Sequence, residues 1–349
     1  MVGNSAINFG ISLAVISGLM GGTCTLPMRY LGRWSWENVW GVYIVVACLT
    51  MPPAVMFLTV ANPFQVLAAA PARAEIIALT SGLVWGFGSV LFGLGVSAIG
   101  ISMANTLVLA TSASLGSILP LVILAPERIG QPQGKAIMLG TATALAGMGF
   151  CGYAGLLRER SERAGPELLR QMVGVARPFW VGFAICVGSG IASALINVGY
   201  SLSRGIITSA VQAGNSPFAG SNVIWFLLLG SGAIANLAYC GYLLRKNRTW
   251  SNFRRPNSMP LYALAIFMGL LWAGGIFAYG SAAPKLGKLG PAIGWPLSLV
   301  ASLVTANCWG FLTGEWKPSS RPARLAMRVG LAILLVAIGI LGWSSRRAG

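Results

Sequence analysis

The sequence predicts an all-α polytopic membrane protein with ten transmembrane helices, arranged as two inverted five-helix repeats. Three observations lead to this prediction: a composition poor in charge, ten long apolar runs, and a pattern that recurs in the second half. Of the 349 residues, 9% are charged and 56% are hydrophobic. A soluble domain carries about 25% charged residues. So few charges could not solvate the surface of so apolar a chain, so most of its surface is expected to face lipid.

The apolar runs have the length that a bilayer requires. A hydrocarbon core of about 30 Å needs about 20 helical residues. We number the ten runs as spans 1 to 10, at approximately residues 7–28, 38–60, 75–97, 101–124, 136–157, 178–201, 218–244, 260–283, 291–314 and 328–344. They lack the alternation of barrel strands, which favours helices. No Lys or Arg precedes the first run, which is also too long for a signal-peptide core, so we expect it to be retained.

The basic residues predict the orientation. The net charge is +17, and 16 of the 24 Lys and Arg residues lie in loops that follow spans 1, 5, 7 and 9. Positively charged loops remain cytoplasmic, so both termini are expected on the outer side. The membrane explains the positive charge better than nucleic acid does. The longest polar segment, residues 158–177, is predicted to be a cytoplasmic basic linker between a first repeat (1–157) and a second repeat (178–349).

Several functional classes are excluded by composition. The chain has no His, which excludes imidazole metal centres and His-dependent catalytic triads. Its six Cys residues lie singly, without a Cys-x-x-Cys pair, so neither a zinc site nor a disulfide framework is indicated. We find no cluster of catalytic residues. We therefore expect no enzymatic activity, no metal, no cofactor and no obligate protein partner.

An internal repeat suggests transport. The pattern Gly82, Leu83, Trp85, Gly88, Gly93, Gly100 recurs 187 residues later as Gly269, Leu270, Trp272, Gly275, Gly280, Gly287. Glu127, after span 4, has its counterpart in Glu315, after span 9. Because five is odd, the second copy would enter the membrane inverted. Inverted repeats around a midplane site are a common construction of transporters with alternating access.

Several motifs carry a family resemblance along nearly the whole chain. They are Trp34-Ser35-Trp36-Glu37, Trp85-Gly86-x-Gly88, Leu156-Leu157-Arg158-Glu159-Arg160, Gly232-Ala233-Ile234-x-Asn236-Leu237, and Gly314-Glu315-Trp316 followed by Arg321-Pro322. In this order they resemble the L-rhamnose–proton symporter family. The segment Ala125-Pro126-Glu127-Arg128, followed by Gly140 and Gly147, is similar to the wider drug/metabolite transporter superfamily.

The resemblance implies import of a neutral deoxy sugar such as L-rhamnose, together with a proton, across a bacterial inner membrane. The sequence also contains no Asp, no His and no ionisable group near the middle of a predicted span. That absence leaves an alternative open: an exporter or facilitator of another small metabolite in the same superfamily.

A neutral sugar needs hydrogen-bonding groups for its hydroxyls and aromatic surfaces for its C–H groups. Trp85 and Trp272 hold equivalent midspan positions and are expected to face each other across a central cavity, with Tyr279 two helical turns from Trp272. Amides within spans are costly when unpaired. The amide–aromatic pairs Asn197 with Tyr200 and Asn222 with Trp225 are therefore candidate sugar contacts.

Three further candidates complete the predicted site. Asn105 lies in span 4, and Trp295 lies in a Gly-Trp-Pro sequence of span 9, where Pro296 frees a backbone carbonyl. Glu37 is the candidate for proton coupling, because desolvation at the start of span 2 would raise its pKa. For each of these residues the alternative is structural: packing for the aromatic rings and interhelical hydrogen bonds for the amides. Asn236 is expected to bond span 7 to a neighbouring helix. Glu127 and Glu315 are expected to pair with nearby Arg128, Lys317 or loop amides.

Overall fold

The computed structural model describes residues 4–32, 34–162 and 179–345. Ten helices in these ranges are long and apolar enough to cross a membrane, which confirms the predicted fold class. Spans 1 to 10 are Asn4–Thr23, Trp36–Thr59, Ala72–Ile99, Ile101–Leu124, Pro132–Glu162, Phe179–Leu202, Pro217–Lys246, Met259–Lys285, Gly290–Leu312 and Arg321–Ser345. Residues 158–162 of the predicted linker continue the helix of span 5, and its residues 163–177 lie outside the described ranges.

Short helices occupy several of the connections. They are the α-helices Pro63–Ala69 and Gly205–Gln212 and the 3-10 turns Leu26–Tyr30, Pro126–Arg128 and Thr249–Arg254. Span 2 changes its hydrogen-bonding pattern partway, with a π-helical segment at Val45–Thr50. Pro52 and Pro53 follow that segment and cannot donate backbone hydrogen bonds. Span 2 therefore continues through its prolines by widening a turn just before them.

Contacts between loops show which helix ends lie together. At one end, Trp34 Nε1 donates to the Asn252 carbonyl at 3.2 Å, and Arg158 pairs with Glu315. We call this the basic end, because it holds the loops after spans 1, 5, 7 and 9. At the other end, which we call the far end, Asn215 Oδ1 accepts from the Ala61 N–H at 2.7 Å. The connections therefore alternate between two ends, as expected for successive spans.

The helix packing exchanges neighbours between the two halves. Span 1 packs on spans 8 and 9, and span 6 packs on spans 3 and 4. The two sets of contacts are equivalent if spans 1 to 5 correspond in order to spans 6 to 10: span 1 corresponds to span 6, span 8 to span 3, and span 9 to span 4. Span 5 also packs along span 10, and span 3 packs on span 7. The first helix of each half thus lies between two helices of the other half.

Glycines allow two of these contacts to be very close. A Cβ atom on Gly82 of span 3 would lie 2.0 Å from the Leu228 carbonyl oxygen of span 7. A Cβ atom on Gly22 of span 1 would lie 2.3 Å from the Ser302 carbonyl oxygen of span 9. In lipid, helices gain no hydrophobic free energy by associating, because acyl chains are as apolar as the helix side chains. Association therefore depends on close packing of this kind. Glycine is the only residue that fits at either point.

Candidate functional site

A cavity of about 380 Å³ opens toward the basic end between spans 4, 5, 9 and 10. Its volume lies in the usual range of small-molecule sites, roughly 300–1,000 Å³. It extends inward as far as Leu109, Met148 and Leu303, about halfway along their helices. Its polar lining includes Asn105 and Asn307. A polar cavity that ends near the middle of an apolar bundle is the strongest candidate for a small-molecule site in the described chain.

A larger groove of about 1150 Å³ lies between spans 2, 7 and 8. Its lining is mostly apolar, with Ser251 and Arg254 near the basic end. This composition suits contact with acyl chains better than contact with a hydrated solute. We therefore place the candidate site in the smaller, polar cavity.

Glu159 connects two walls of the cavity. Its Oε1 accepts a hydrogen bond at 3.0 Å from the backbone N–H of Ser102, in the first turn of span 4. That N–H has no partner within its own helix. Spans 3 and 4 are joined by the single residue Gly100, whose φ of 88° favours glycine. Glu159 of span 5 thus fixes the start of span 4 beside the cavity mouth.

An ion pair crosses the cavity mouth. Arg158, at the end of span 5, pairs with Glu315, just after span 9. The Arg158 guanidinium also lies over the Trp316 ring, 5.4 Å from its centroid. Trp316 in turn stacks on Phe311, with ring centroids 5.6 Å apart. The pair connects the predicted cytoplasmic-linker end of span 5 to the loop after span 9.

At the far end, four aromatic rings pack against one another. Tyr200 and Trp225 are stacked, with centroids 4.7 Å apart, and Tyr279 contacts both rings. Trp295 meets Tyr279 edge to face at 5.6 Å. All four side chains are buried. We call these four residues the aromatic plug, because their rings pack together in the far-end part of spans 6 to 9.

Asn197 holds four helices together beside the aromatic plug. Pro120 lacks the N–H that would bond the Gly116 carbonyl within span 4. Asn197 Nδ2 donates to that carbonyl at 2.7 Å and to the Pro291 carbonyl of span 9 at 3.1 Å. Its Oδ1 accepts from the Tyr279 hydroxyl of span 8. In this conformation both the Nδ2 and the Oδ1 atoms of Asn197 are hydrogen-bonded to other protein groups.

In span 9, too, a side chain donates a hydrogen bond to a carbonyl that a proline leaves free. Pro296 leaves the Ala292 carbonyl of span 9 without its helical donor. Ser117 Oγ of span 4 donates to that carbonyl at 2.6 Å. The freed carbonyl near Trp295 was expected from the sequence, but its donor was not. Spans 4 and 9 therefore each lack one backbone hydrogen bond at an internal proline, and polar side chains join the two helices there.

Tyr200 has a comparable role. Its hydroxyl lies 2.9 Å from Ser221 Oγ and donates to the Gly280 carbonyl at 3.5 Å. Pro284 is the residue whose missing N–H leaves that carbonyl free. Three polar side chains of the far end thus satisfy three carbonyls freed by prolines.

Three polar atoms of this region have no hydrogen-bond partner among the described residues: Trp225 Nε1, Trp295 Nε1 and Asn222 Oδ1. Asn222 Nδ2 donates to Thr59 Oγ1 at 2.9 Å. Buried polar groups are normally paired. These three atoms are therefore available to a polar ligand if the aromatic plug separates.

Trp85 and Trp272 lie at the middle of spans 3 and 8, and they face each other as the repeat predicts. Their rings are stacked, with centroids 5.5 Å apart and planes 10° apart. Tyr43 of span 2 packs edge to face on Trp272 at 6.0 Å. The expected hollow between the two indoles is filled by the indoles themselves in this conformation, because they contact each other directly.

Asn105 is the predicted sugar contact that lines the polar cavity. The other eight predicted contacts lie in the aromatic plug, beside it, or in the midspan indole pair. The sequence reasoning did not select Arg158, Glu159 and Glu315, although all three lie in motifs that carry the family resemblance. Because the chain has only seven carboxylate side chains, each Glu at the end of a span could have been considered as a candidate site residue.

Glu37 lies at the basic end, away from the polar cavity. Its side chain is 3% exposed. Its Oε1 accepts from Asn247 Nδ2 at 3.0 Å and from Thr249 Oγ1 at 2.7 Å. These bonds connect the start of span 2 to the loop after span 7. Its predicted role in proton coupling stays a prediction.

Asn236 bonds to two neighbouring helices, as expected. Its Oδ1 accepts from Trp40 Nε1 of span 2 at 3.0 Å, and its Nδ2 donates to the Gly86 carbonyl of span 3 at 3.4 Å. This amide therefore joins spans 2, 3 and 7 within the bundle.

The partners expected for the repeated glutamates need correction. Glu127 pairs with Lys288 at 3.1 Å and Glu315 pairs with Arg158, where Arg128 and Lys317 were expected. In both cases the cation comes from the other half of the chain, because the packing brings distant loops closer than neighbouring residues. The pKa of Glu127 is lowered by a backbone N–H donor and by Lys288. The far-end pair therefore persists at neutral pH and is lost only as the pH falls through that lowered pKa.

The chain is similar to known membrane transporters along nearly its whole length. The model of the L-rhamnose-proton symport protein family matches residues 3–346. L-rhamnose-proton symporters of Yersinia pestis (strain Pestoides F) and Yersinia pseudotuberculosis (serotype O:1b, strain IP 31758) are each 23% identical over 346 residues, which covers 97% of this chain and 98% of each relative. The chain is a multi-pass membrane protein of a transport family, and it belongs to the L-rhamnose-proton symport protein family.

Proposed function

We propose that this protein imports L-rhamnose, or a closely similar neutral deoxy sugar, together with a proton across a bacterial inner membrane. The basic end faces the cytoplasm, and both termini face outward. The observation on which the proposal depends is the polar cavity, which opens at the basic end, while the buried rings of the aromatic plug pack together toward the far end. Together with the family membership, it supports a transporter that opens to one side at a time.

The cavity has the chemistry that a deoxy sugar requires. Asn105 and Asn307 present amide groups to it, and Arg158, Glu159 and Glu315 line its mouth. Leu109, Met148 and Leu303 form an apolar inner end suited to a methyl group. We propose that the sugar hydroxyls contact the amides and charged groups while the methyl group points inward.

The aromatic plug supplies the opposite gate in this proposal. When it separates, Trp225 and Trp295 present N–H donors, and Asn222 presents a carbonyl acceptor, to a sugar entering from the far end. Residues 1–157 and 178–349 are proposed as two inverted repeats that rock about the Trp85–Trp272 contact. The exchange of helix neighbours between the halves supports this motion.

The test is uptake by purified protein in liposomes. With acid outside, liposomes should accumulate labelled L-rhamnose, and a protonophore should abolish the accumulation. Excess unlabelled L-rhamnose should inhibit uptake of the labelled sugar. L-mannose, which has a hydroxymethyl group where L-rhamnose has a methyl group, should inhibit it only weakly. Accumulation that survives the protonophore would contradict proton coupling.

The absence of Asp and His from the chain favours a second candidate, a facilitator or exporter of another small metabolite. This candidate predicts equilibration of a solute without accumulation, unchanged by the proton gradient. A thermal-shift screen against monosaccharides would identify the solute, because a ligand that binds only the folded state raises its stability.

A further inference from the structure

We propose that the large groove between spans 2, 7 and 8 binds an anionic phospholipid, with the phosphate group against Arg254 and the acyl chains along the apolar walls. The groove shares no lining residue with the polar cavity proposed for the sugar. It is therefore a second site for a second ligand, and it lies outside the proposed sugar pathway.

The walls of the groove are suited to acyl chains. They are formed by apolar side chains and glycines within residues 41–46 of span 2 and 237–244 of span 7. The stretch on span 7 rises about 10 Å along the helix, which is a large part of one leaflet of a hydrocarbon core about 30 Å thick. Val45 and Ile266 line the groove and are exposed. Acyl chains can therefore enter the groove from the side.

Two glycines keep the groove open. Gly41 of span 2 and Gly241 of span 7 both line it, and a Cβ atom on either residue would meet no atom within 4 Å. Close helix packing therefore does not require glycine at these positions, in contrast to Gly82 and Gly22. A larger side chain at either position would occupy the groove itself.

Polar groups without a protein partner lie at the basic end of the groove. Trp250, Ser251 and Arg254 line this end, and all three are exposed. Their indole N–H, hydroxyl and guanidinium groups make no hydrogen bond or ion pair within the described part of the chain. Arginine is the side chain best suited to bind phosphate, and the other two groups can also donate to its oxygens.

The loop around this end is strongly basic. Residues 245–255 include five cationic side chains and no carboxylate. The cations are Arg245, Lys246, Arg248, Arg254 and Arg255, and all of them are exposed. The carboxylate that reaches this loop is Glu37, which is 3% exposed and is bonded to Asn247 and Thr249. The end of the groove thus carries net positive charge, which favours an anionic headgroup over a zwitterionic one.

An anionic phospholipid is the occupant that fits both parts of the groove. A soluble phosphate ion would pair with Arg254 but would leave the apolar walls without contacts. A zwitterionic lipid would fill the walls but would bring its own cationic group to the basic loop. The groove lies between span 2 of the first half and spans 7 and 8 of the second. A lipid bound there contacts both halves and should raise the stability of the folded protein.

The experiment measures lipid binding to the purified full-length protein in detergent, by native mass spectrometry and by thermal midpoint, without sugar. The probes are phosphatidylglycerol, phosphatidylcholine and inorganic phosphate. The first phosphatidylglycerol should bind at least about fivefold more tightly than the first phosphatidylcholine, the factor contributed by about one basic residue near a membrane surface. Phosphatidylglycerol should raise the thermal midpoint, and inorganic phosphate at the same concentration should not.

Two variants test the two parts of the groove separately. Arg254→Gln should weaken binding of phosphatidylglycerol about fivefold and leave binding of phosphatidylcholine unchanged. Gly241→Leu should weaken binding of both lipids, because the new side chain occupies the apolar part of the groove. Leucine is a better helix former than glycine, so this variant should fold as the parent does.

Each variant has a matched control that does not line the groove. Arg321→Gln removes the same charge from an exposed residue at the same end, on span 10. Gly230→Leu places the same side chain on span 7, at another position where a Cβ atom would meet no atom within 4 Å. Both controls should bind the two lipids as tightly as the parent does.

Three outcomes would overturn the lipid site. Equal affinity of the parent for the two lipids would contradict selection of an anionic headgroup. Equal weakening in Arg254→Gln and Arg321→Gln would show that the overall positive charge, and not the groove, attracts the lipid. Stabilisation by inorganic phosphate as large as that by phosphatidylglycerol would identify a soluble anion as the ligand. Because no sugar is present, each of these results leaves the proposed transport of L-rhamnose unaffected.

Discussion

Replacing Asn197 with alanine is expected to destabilise the far end and to reduce transport at least about tenfold. The substitution removes two bonds donated to the Gly116 and Pro291 carbonyls and one accepted from Tyr279. Side-chain hydrogen bonds in membranes contribute roughly 0.6–2 kcal/mol each, so the loss of three is roughly 2–6 kcal/mol. The Gly116 carbonyl, already without its helical donor because of Pro120, would become unpaired. The thermal midpoint of the purified protein should fall by about 5–10 °C.

Asn222→Ala is the matched control. Asn222 is the same residue type, is equally buried and lies at the same end of the bundle. Its Nδ2 donates a hydrogen bond to Thr59, and its Oδ1 has no partner among the described residues. Its removal should cost less than about 1 kcal/mol. If Asn197→Ala matched the parent in stability and lost only affinity for the sugar, Asn197 would be a sugar contact rather than a structural bridge.

Gly82→Ala is expected to have the largest effect on stability. The added Cβ would lie 2.0 Å from the Leu228 carbonyl oxygen and 2.3 Å from Ser231 Oγ. The first atom belongs to a helix backbone and cannot rotate away, so spans 3 and 7 must separate. Overpacking costs roughly 1–3 kcal/mol and sometimes more; we expect the upper part of that range or beyond. The yield of monodisperse protein and its thermal midpoint should both fall.

Gly93→Ala tests the same substitution on the same helix. Gly93 is exposed, and a Cβ there would meet no atom within 4 Å. Alanine is also the better helix former. Gly93→Ala should therefore equal or slightly exceed the parent in thermal stability. Equal losses in both variants would show that the close contact between spans 3 and 7 is not what determines the effect.

These predictions assign different roles to residues that look alike in sequence. Asn197 and Tyr200 were candidate sugar contacts, and in this conformation they bond carbonyls that prolines have freed. Asn105 lies in the polar cavity, where a sugar contact remains the proposal. A transporter needs both kinds of residue, because one end of its pathway must be closed while the other is open. The closed end is held by protein–protein hydrogen bonds that a polar ligand can replace.

The sequence by itself determined the number, type and approximate limits of the spans. A run of about 20 apolar residues can satisfy its backbone in lipid only as a helix, so this prediction depends on local composition alone. The repeat also placed Trp85 and Trp272 at equivalent midspan positions, and the two rings are stacked. The ends of spans were less certain: span 10 begins at Arg321, seven residues before the predicted limit, because arginines at a helix end can extend to water.

Only the tertiary structure decided which helices are neighbours and which polar groups meet. Arg158 and Glu315 are 157 residues apart, and Ser117 and Ala292 are 175 apart. Neither separation has a sequence signal, because each contact results from the way spans 4, 5 and 9 pack. Hydropathy places a residue at a depth in the bilayer but does not choose the side of the helix that faces a cavity. That choice follows from the close glycine contacts and the proline-freed carbonyls, which fix how the helices pack.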